Sequence, residues 1–320
     1  MNTNRRYAIG ALITAGLLWG TTVPLSKVAL GWLAPGWLTF VRFALAALIL
    51  LAVSRRQLRA AWSWPVLASG AAGYGGAMVL QNIGIERTSV SHAALLIGAT
   101  PVLVAIVAAV WRRTLAHPVA WAGFTVSLAG VALVTSGAGG GATAGGDGVV
   151  LASLLVSATF TVGQSRVLRG RDPVAVTAVQ FLGAALAVLP FSALTEPLPG
   201  TTGSAGMVLA VVGLTAGGTV LPFTLFAFAQ SRVAAEIAGA FFNIEPLVGA
   251  VAGVVLFSNP VGPGQIAGGM AILAGIGLSS VPLRRAGHPQ PPPQPQSEAQ
   301  PPVMPERIAV RGGDPLTSGG

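Results

Sequence analysis

Apolar runs of about 20 residues alternate along the chain with short clusters of Arg, Pro and Gly. A hydrocarbon core about 30 Å thick takes roughly 20 apolar residues per helix. The pattern therefore predicts helices over 7–28, 35–53, 63–83, 90–110, 118–136, 148–167, 173–192, 205–228, 234–257 and 263–282. Barrel strands would alternate polar and apolar positions over about ten residues, and these runs do not. The connections are too short to hold a water-soluble domain, so the chemistry is expected inside the membrane or at its faces. The first run follows Arg5 and Arg6, as a signal peptide would, but it is full length and no A-x-A-like cleavage site precedes the next run. It is expected to stay as the first helix. The fold class read from the pattern is an all-α integral membrane protein with ten transmembrane helices.

Composition supports that class. Of the 320 residues only 8% are charged, 53% are hydrophobic, and the mean hydropathy is +0.74, whereas soluble domains carry about 25% charge. The net charge of +9 reflects nine acids against 18 scattered bases, with no dense basic face to bind nucleic acid. There is no cysteine, which excludes disulfides, thiolate nucleophiles and thiolate-bound metal. The bases fix an orientation. With the N-terminus inside, thirteen of them (all Arg) fall at inner ends and only Lys27 and Arg87 at outer ends. The positive-inside rule then places both termini in the cytoplasm, and the excess of Arg over Lys suggests a bacterial cytoplasmic membrane.

The chain also repeats. Pro35–Leu51 overlays Pro173–Leu189 at a shift of 138, matching Thr39/Thr177, Val41/Val179, Phe43/Phe181, Ala46/Ala184 and Ala47/Ala185. The helices before them align at 139, with Thr22/Thr161 and Ser26/Ser165 matched and Lys27 over Arg166. From the third helix onward the shift is 145, with Arg87/Arg232, Pro101/Pro246, Pro118/Pro263, Gly123/Gly268 and Gly130/Gly275. Each copy holds five helices, an odd number, so the second copy should enter from the opposite face. Inverted repeats suit alternating access around a midplane site.

Leu18-Trp19-Gly20 with Lys27, Val41-Arg42-Phe43, Ala93 to Thr100-Pro101, Glu245-Pro246, and the Gly123/Leu128–Val131 and Gly268/Leu273–Gly275 sets appear in order. In these the chain resembles the EamA-type exporters of the drug/metabolite transporter superfamily over residues 7–283. The resemblance implies a secondary transporter that exports an amino acid, a related metabolite or a drug. The internal repeat gives five-helix copies at 7–136 and 148–283; by composition the Gly-rich stretch 137–147 reads as an outer linker and the Pro-rich stretch 284–320 as a disordered cytoplasmic tail. The Gly-Glu pair common in that family after the fourth and ninth helices is absent: Trp111-Arg112-Arg113 and Phe257-Ser258-Asn259 stand there.

Candidate residues follow from what a bilayer penalises. Glu245, mid-span in the ninth helix, should face a partner or a wet cavity and could couple protons or bind an amine. Arg42 could bind an anion, pair with Glu245 or reach the outer interface by its stem. Trp19 is a candidate cavity wall. Gln81, Asn82, His92 and Asn243 could line a site or join helices; Gln164 and Tyr74 rank below them, and Lys27 suits a helix C-terminus. Pro101 and Pro246 free the carbonyls of Ile97 and Phe242 and could act as paired hinges. No metal site or cofactor is expected. The expected partners are a small-molecule substrate, the bilayer and, as coupling ion, protons; the oligomeric state is not readable. A membrane-embedded lipid-modifying enzyme would need paired acids, a His base or a metal cluster at one face, and the outer acids Glu86, Asp147 and Glu196 read as isolated. A channel would need rings of like charge.

Overall fold

A computed structural model of the chain describes residues 3–112, 118–136, 142–200, 203–230 and 244–279, and all regular structure among them is helical. α1 (Thr3–Gly20) and α2 (Thr22–Ala29) make the first run, α3 (Pro35–Val53) the second. A short α4 (Leu58–Ala61) leads to the third, in which α5 (Trp64–Gly70), a π-helical turn (Ala71–Gly76) and α6 (Ala77–Arg87) are continuous. The fourth is α7 (Val90–Ile97) and α8 (Thr100–Arg112), and the fifth is α9 (Pro118–Ser136). The second copy comprises α10 (Ala144–Val167), α11 (Pro173–Thr195), then α12 (Ala205–Thr215), a second π-helical turn (Ala216–Val220) and α13 (Leu221–Gln230). It ends with α14 (Ile244–Phe257) and α15 (Pro263–Ser279).

Six helical stretches among the described residues are long and apolar enough to cross a membrane: Arg6–Ala29, Pro35–Val53, Val90–Trp111, Ala144–Gln164, Pro173–Thr195 and Ala205–Phe226. Trp121–Val134 and Ile244–Phe257 are shorter apolar helices. Large apolar side chains such as Leu48, Leu194, Leu209 and Val255 face outward, an arrangement suited to a hydrocarbon solvent. The linker ends earlier than expected. α10 begins at Ala144 because the Thr143 hydroxyl accepts from the Gly146 N–H (3.0 Å) and donates to the Arg87 carbonyl (2.6 Å), a side-chain N-cap.

Equivalent helices of the two copies pack on one another. α3 lies on α11, α9 on α15, and α7 on α14; α1 packs on α13 as α10 packs on α6. At the first of these seams, the matched residues Phe43 and Phe181 touch with ring centroids 5.0 Å apart. The matched pairs Ala46/Ala184 and Ala47/Ala185 surround them in one buried cluster. At the α9–α15 seam the glycines cross-match: a Cβ on Gly130 would stand 2.6 Å from the Gly268 carbonyl, and one on Gly275 would stand 2.5 Å from the Gly123 carbonyl. Small residues let the backbones approach where lipid supplies no hydrophobic drive.

Helix ends inside this apolar body are satisfied by side chains. Glu196, just after α11, accepts from the Gly36 and Trp37 N–H groups (2.8 and 3.1 Å) and caps the start of α3. Lys27 donates to the Ile85, Glu86 and Thr88 carbonyls (2.7, 2.9 and 2.8 Å), closing the end of α6 and complementing its dipole. Gly130→Val should therefore lower stability by about 1–3 kcal/mol through overpacking, measured as thermal unfolding in detergent. Gly145→Val, at a glycine with open space around its Cβ position, should leave that transition nearly unmoved.

Candidate functional site

Two interrupted helices and the beginning of α14 converge near the middle of the bundle. The first bends between Gly20 and Thr22, where Pro24 cannot donate to the Gly20 carbonyl. Thr21 and Thr22 turn their hydroxyls back onto the Leu18 and Trp19 carbonyls, each at 2.7 Å. The eighth is widened by its π-turn, in which Thr219 Oγ1 donates to the Leu214 carbonyl at 2.9 Å. α14 starts at Ile244, placing Glu245 in its first turn, with the Glu245 carbonyl against Gly20. Interrupted backbone at membrane depth is tolerated where side chains or a cavity satisfy it, and carriers commonly bind solutes at such breaks.

Arg42 reaches this convergence from α3. It is 6% exposed, so it does not extend to an interface. Its Nε donates to Thr219 Oγ1 (2.6 Å) and its Nη2 to the Gly218 carbonyl (3.2 Å), and its guanidinium stands 5.6 Å from the Phe43 ring centroid. Arg42 is thus pinned to the π-turn. Glu245 is near enough for the two charges to act on each other, but they do not form a contact ion pair; among the described residues that geometry belongs to His92 and Asp147. Trp19 is buried against Phe223 and Phe226, with centroids 5.4 and 5.5 Å away. Phe223 continues to Tyr74 (6.0 Å), and Tyr74 to Phe160 (4.8 Å) and Phe181 (4.9 Å). An aromatic layer therefore joins the first, third, sixth, seventh and eighth runs.

The remaining candidates lie elsewhere. Asn82 is buried and donates to Thr39 Oγ1 at 3.0 Å, which joins the third and second runs, while its Oδ1 is without a partner. Gln81 beside it is half-buried. Asn243 lies outside the described residues. Pro101 falls in the first turn of α8, after a break at Gly98–Ala99; the Ile97 carbonyl it frees accepts the Thr100 hydroxyl. Pro246 is buried in the first turn of α14, against Gly98. The two prolines therefore flank one contact between the fourth and ninth runs.

His92 and Asp147 form a second polar centre. His92 Nδ1 meets Asp147 Oδ2 at 3.0 Å, Thr88 donates to Asp147 Oδ1, and Gln265 Nε2 meets His92 Nε2 at 2.9 Å. Asp147 is thus paired, Glu196 caps a helix, and Glu86 interacts with Lys27. The expectation that these acids are isolated does not hold, because the helix ends that carry them meet only in three dimensions. Among the described residues no group of three His, Cys, Asp or Glu could hold a metal.

A cavity of about 420 Å³ opens between α5 with its π-turn and α10, lined by Ser69, Gly73, Thr159, Phe160 and Gln164 among others. At its edge Gln164 and Gln180 exchange amide hydrogen bonds (3.0 and 2.7 Å), and Gln180 also donates to Ser69 (3.0 Å). Gln180 is the repeat counterpart of Arg42, and each anchors α11 or α3 to the interrupted helix beside it. Sequence reasoning ranked Gln164 and Tyr74 low and passed over both π-turns. The recoverable signal was Gly73 over Gly218 at the same shift of 145 that aligns the prolines.

The profile of the EamA-like transporter family matches twice, over residues 6–136 and 144–281. The chain belongs to the EamA-like transporter family. It is accordingly a membrane transporter, as the opening resemblance implied. An uncharacterized transporter of Archaeoglobus fulgidus is 23% identical over 260 residues, which cover 81% of this chain and 93% of the relative. A protein of known crystal structure superposes with a TM-score of 0.63 at 23% identity, over 85% of this chain and 96% of its own; that likeness concerns the fold.

Thr219→Val should cost about 1–3 kcal/mol, because it leaves the Arg42 Nε and the Leu214 carbonyl without their partner. Thermal unfolding in detergent measures this, and Thr219→Ser should restore most of the loss.

Proposed function

We propose that the protein is a secondary carrier that exports a small metabolite, an amino acid or related compound, or a drug across the cytoplasmic membrane by alternating access. In this reading the chain makes ten crossings. Residues 7–136 and 144–283 are inverted five-helix repeats, the short stretch between them is an outer linker and both termini are cytoplasmic. The two halves rock about the α3–α11 and α9–α15 seams. Reciprocal packing is the observation that carries it: α3 packs on α11, α7 on α14 and α9 on α15, α1 packs on α13 as α10 packs on α6, and both π-turns fall at one shift, 71 to 216. A two-fold arrangement of interrupted helices suits a carrier better than a fixed pore or an enzyme.

The solute or coupling ion is assigned to the convergence of Trp19, Arg42 and Glu245. Arg42 is already engaged with the π-turn, so its role is to hold the eighth run in place and set a positive field. Glu245 has no hydrogen bond to a described residue, which leaves its carboxylate free to take a proton or an amine. The Gly98–Pro246 contact, flanked by Pro101, lies where the fourth and ninth runs would hinge.

Counterflow in proteoliposomes loaded with a panel of amino acids, other metabolites and drugs tests the reading. A carrier exchanges labelled for unlabelled solute, and a pore dissipates the gradient without exchange. Glu245→Gln should remove pH-driven accumulation by at least about tenfold while the protein still elutes as a folded species; unchanged, pH-dependent uptake would refute the role of Glu245.

A further inference from the structure

The polar centre at His92 ties together helix ends that alternating access must separate. His92 sits in the first turns of α7, in the fourth run; Asp147 starts α10, in the sixth; Gln265 starts α15, in the tenth. A second tie lies beside it: the Ser91 N–H donates to Asn259 Oδ1 (3.2 Å), in the turn between α14 and α15. Behind both, Gly253 packs against Ser91 and Gly249 against Ala94. This mouth of the bundle is closed, and His92, Asp147 and Gln265 are 1%, 2% and 6% exposed.

The hydrogen-bond geometry sets the protonation of the ring. Gln265 Oε1 accepts the Gly262 N–H, so the amide is oriented with its Nε2 toward His92. An amide nitrogen only donates, and His92 Nε2 must therefore be the acceptor. The other ring nitrogen then carries the proton and donates to Asp147 Oδ2. The closed mouth requires a neutral His92. A proton added at Nε2 sets N–H against N–H and breaks the bond to Gln265, while the new imidazolium is held by the Asp147 carboxylate. Acid thus strengthens the tie between the fourth and sixth runs and cuts the tie from the fourth to the tenth. The charged groups nearest this centre are Lys27 on α2, with its Nζ on the Thr88 carbonyl, and Glu86 and Arg87 at the end of α6. From α14, α15 and the turn between them come only the amides Gln265 and Asn259 among the described residues.

The repeat does not copy this device. At the shifts that align the halves, Thr88, His92, Asp147 and Gln265 correspond to Val233, Ile237, Ala8 and Ala120; one acid, Glu236, stands nearby, opposite Ser91. We propose that His92, Asp147 and Gln265 form a proton-operated latch on one mouth of the carrier, opened by protonation of His92 and without an equivalent at the other mouth. The latch rests on the alternating-access reading, and it adds a binding site for a proton distinct from Glu245.

The absence of cysteine makes the test direct. Ala250→Cys places a thiol beside a small void lined by Leu95, Pro246 and Leu247, just behind the latch. In nanodiscs both faces meet the reagent, so labelling by a water-soluble maleimide, corrected for its intrinsic pH dependence, reports opening. Labelling should rise as pH falls. His92→Phe should label about tenfold faster near neutral pH, the shift that losing about 1.4 kcal/mol produces, and should no longer respond to pH. Gln265→Glu should invert the response, because a carboxylate accepts from protonated His92 but not from the neutral ring. A misfolded protein does not give an inverted response. Labelling that ignores pH in the parent, or Gln265→Glu that behaves like the parent, overturns the latch. Loss of counterflow with the pH response intact would instead count against the carrier reading.

Discussion

The backbone of this protein lies in a medium that cannot hydrogen-bond it, and the rest of the structure answers to that constraint. A continuous helix satisfies itself, but a carrier has to bend and part. Several interruptions therefore come with their own replacement partner. Thr21 and Thr22 serve the bend above Pro24, Thr100 serves the break before Pro101, and Thr219 serves the π-turn. Lys27 and Glu196 do the same for helix ends at either side of a seam. Threonine is frequent at these places because one hydroxyl can reach back three to five residues without leaving its own helix.

Much of the architecture was legible because it rests on periodicity and on matched residues. The apolar runs located the helices, and residues matched at the shifts of 138 and 145 lie on the seams where equivalent helices pack. Phe43 meets Phe181 and Gly130 meets Gly268 as that symmetry requires. The boundary of the linker was misplaced because a short polar cap, Thr143, outweighs the helix-poor glycines that follow it.

The site was less legible. Glu245 and Arg42 stood out because charge at membrane depth is rare, but their distance could not be read, nor could the engagement of Arg42 with a backbone carbonyl and Thr219. Asp147 looked isolated because its partner is 55 residues away in sequence. Gln265 carried no signal at all, since an amide at a helix start is ordinary until the histidine it faces is known. The π-turns were hidden because one extra residue leaves a long apolar run looking continuous; only the paired glycines Gly73 and Gly218 mark them.

Phe43 and Phe181 occupy the same place in their respective copies and lie in contact with each other. In a dimer of two identical chains such a contact would be one residue meeting its own image, and any change there would alter both sides together. In a single chain each side can differ alone. Arg42 accordingly stands where the other copy has Gln180, and His92 where the other copy has Ile237. Two faces of unlike chemistry are open to a protein whose repeats share one chain but not one sequence.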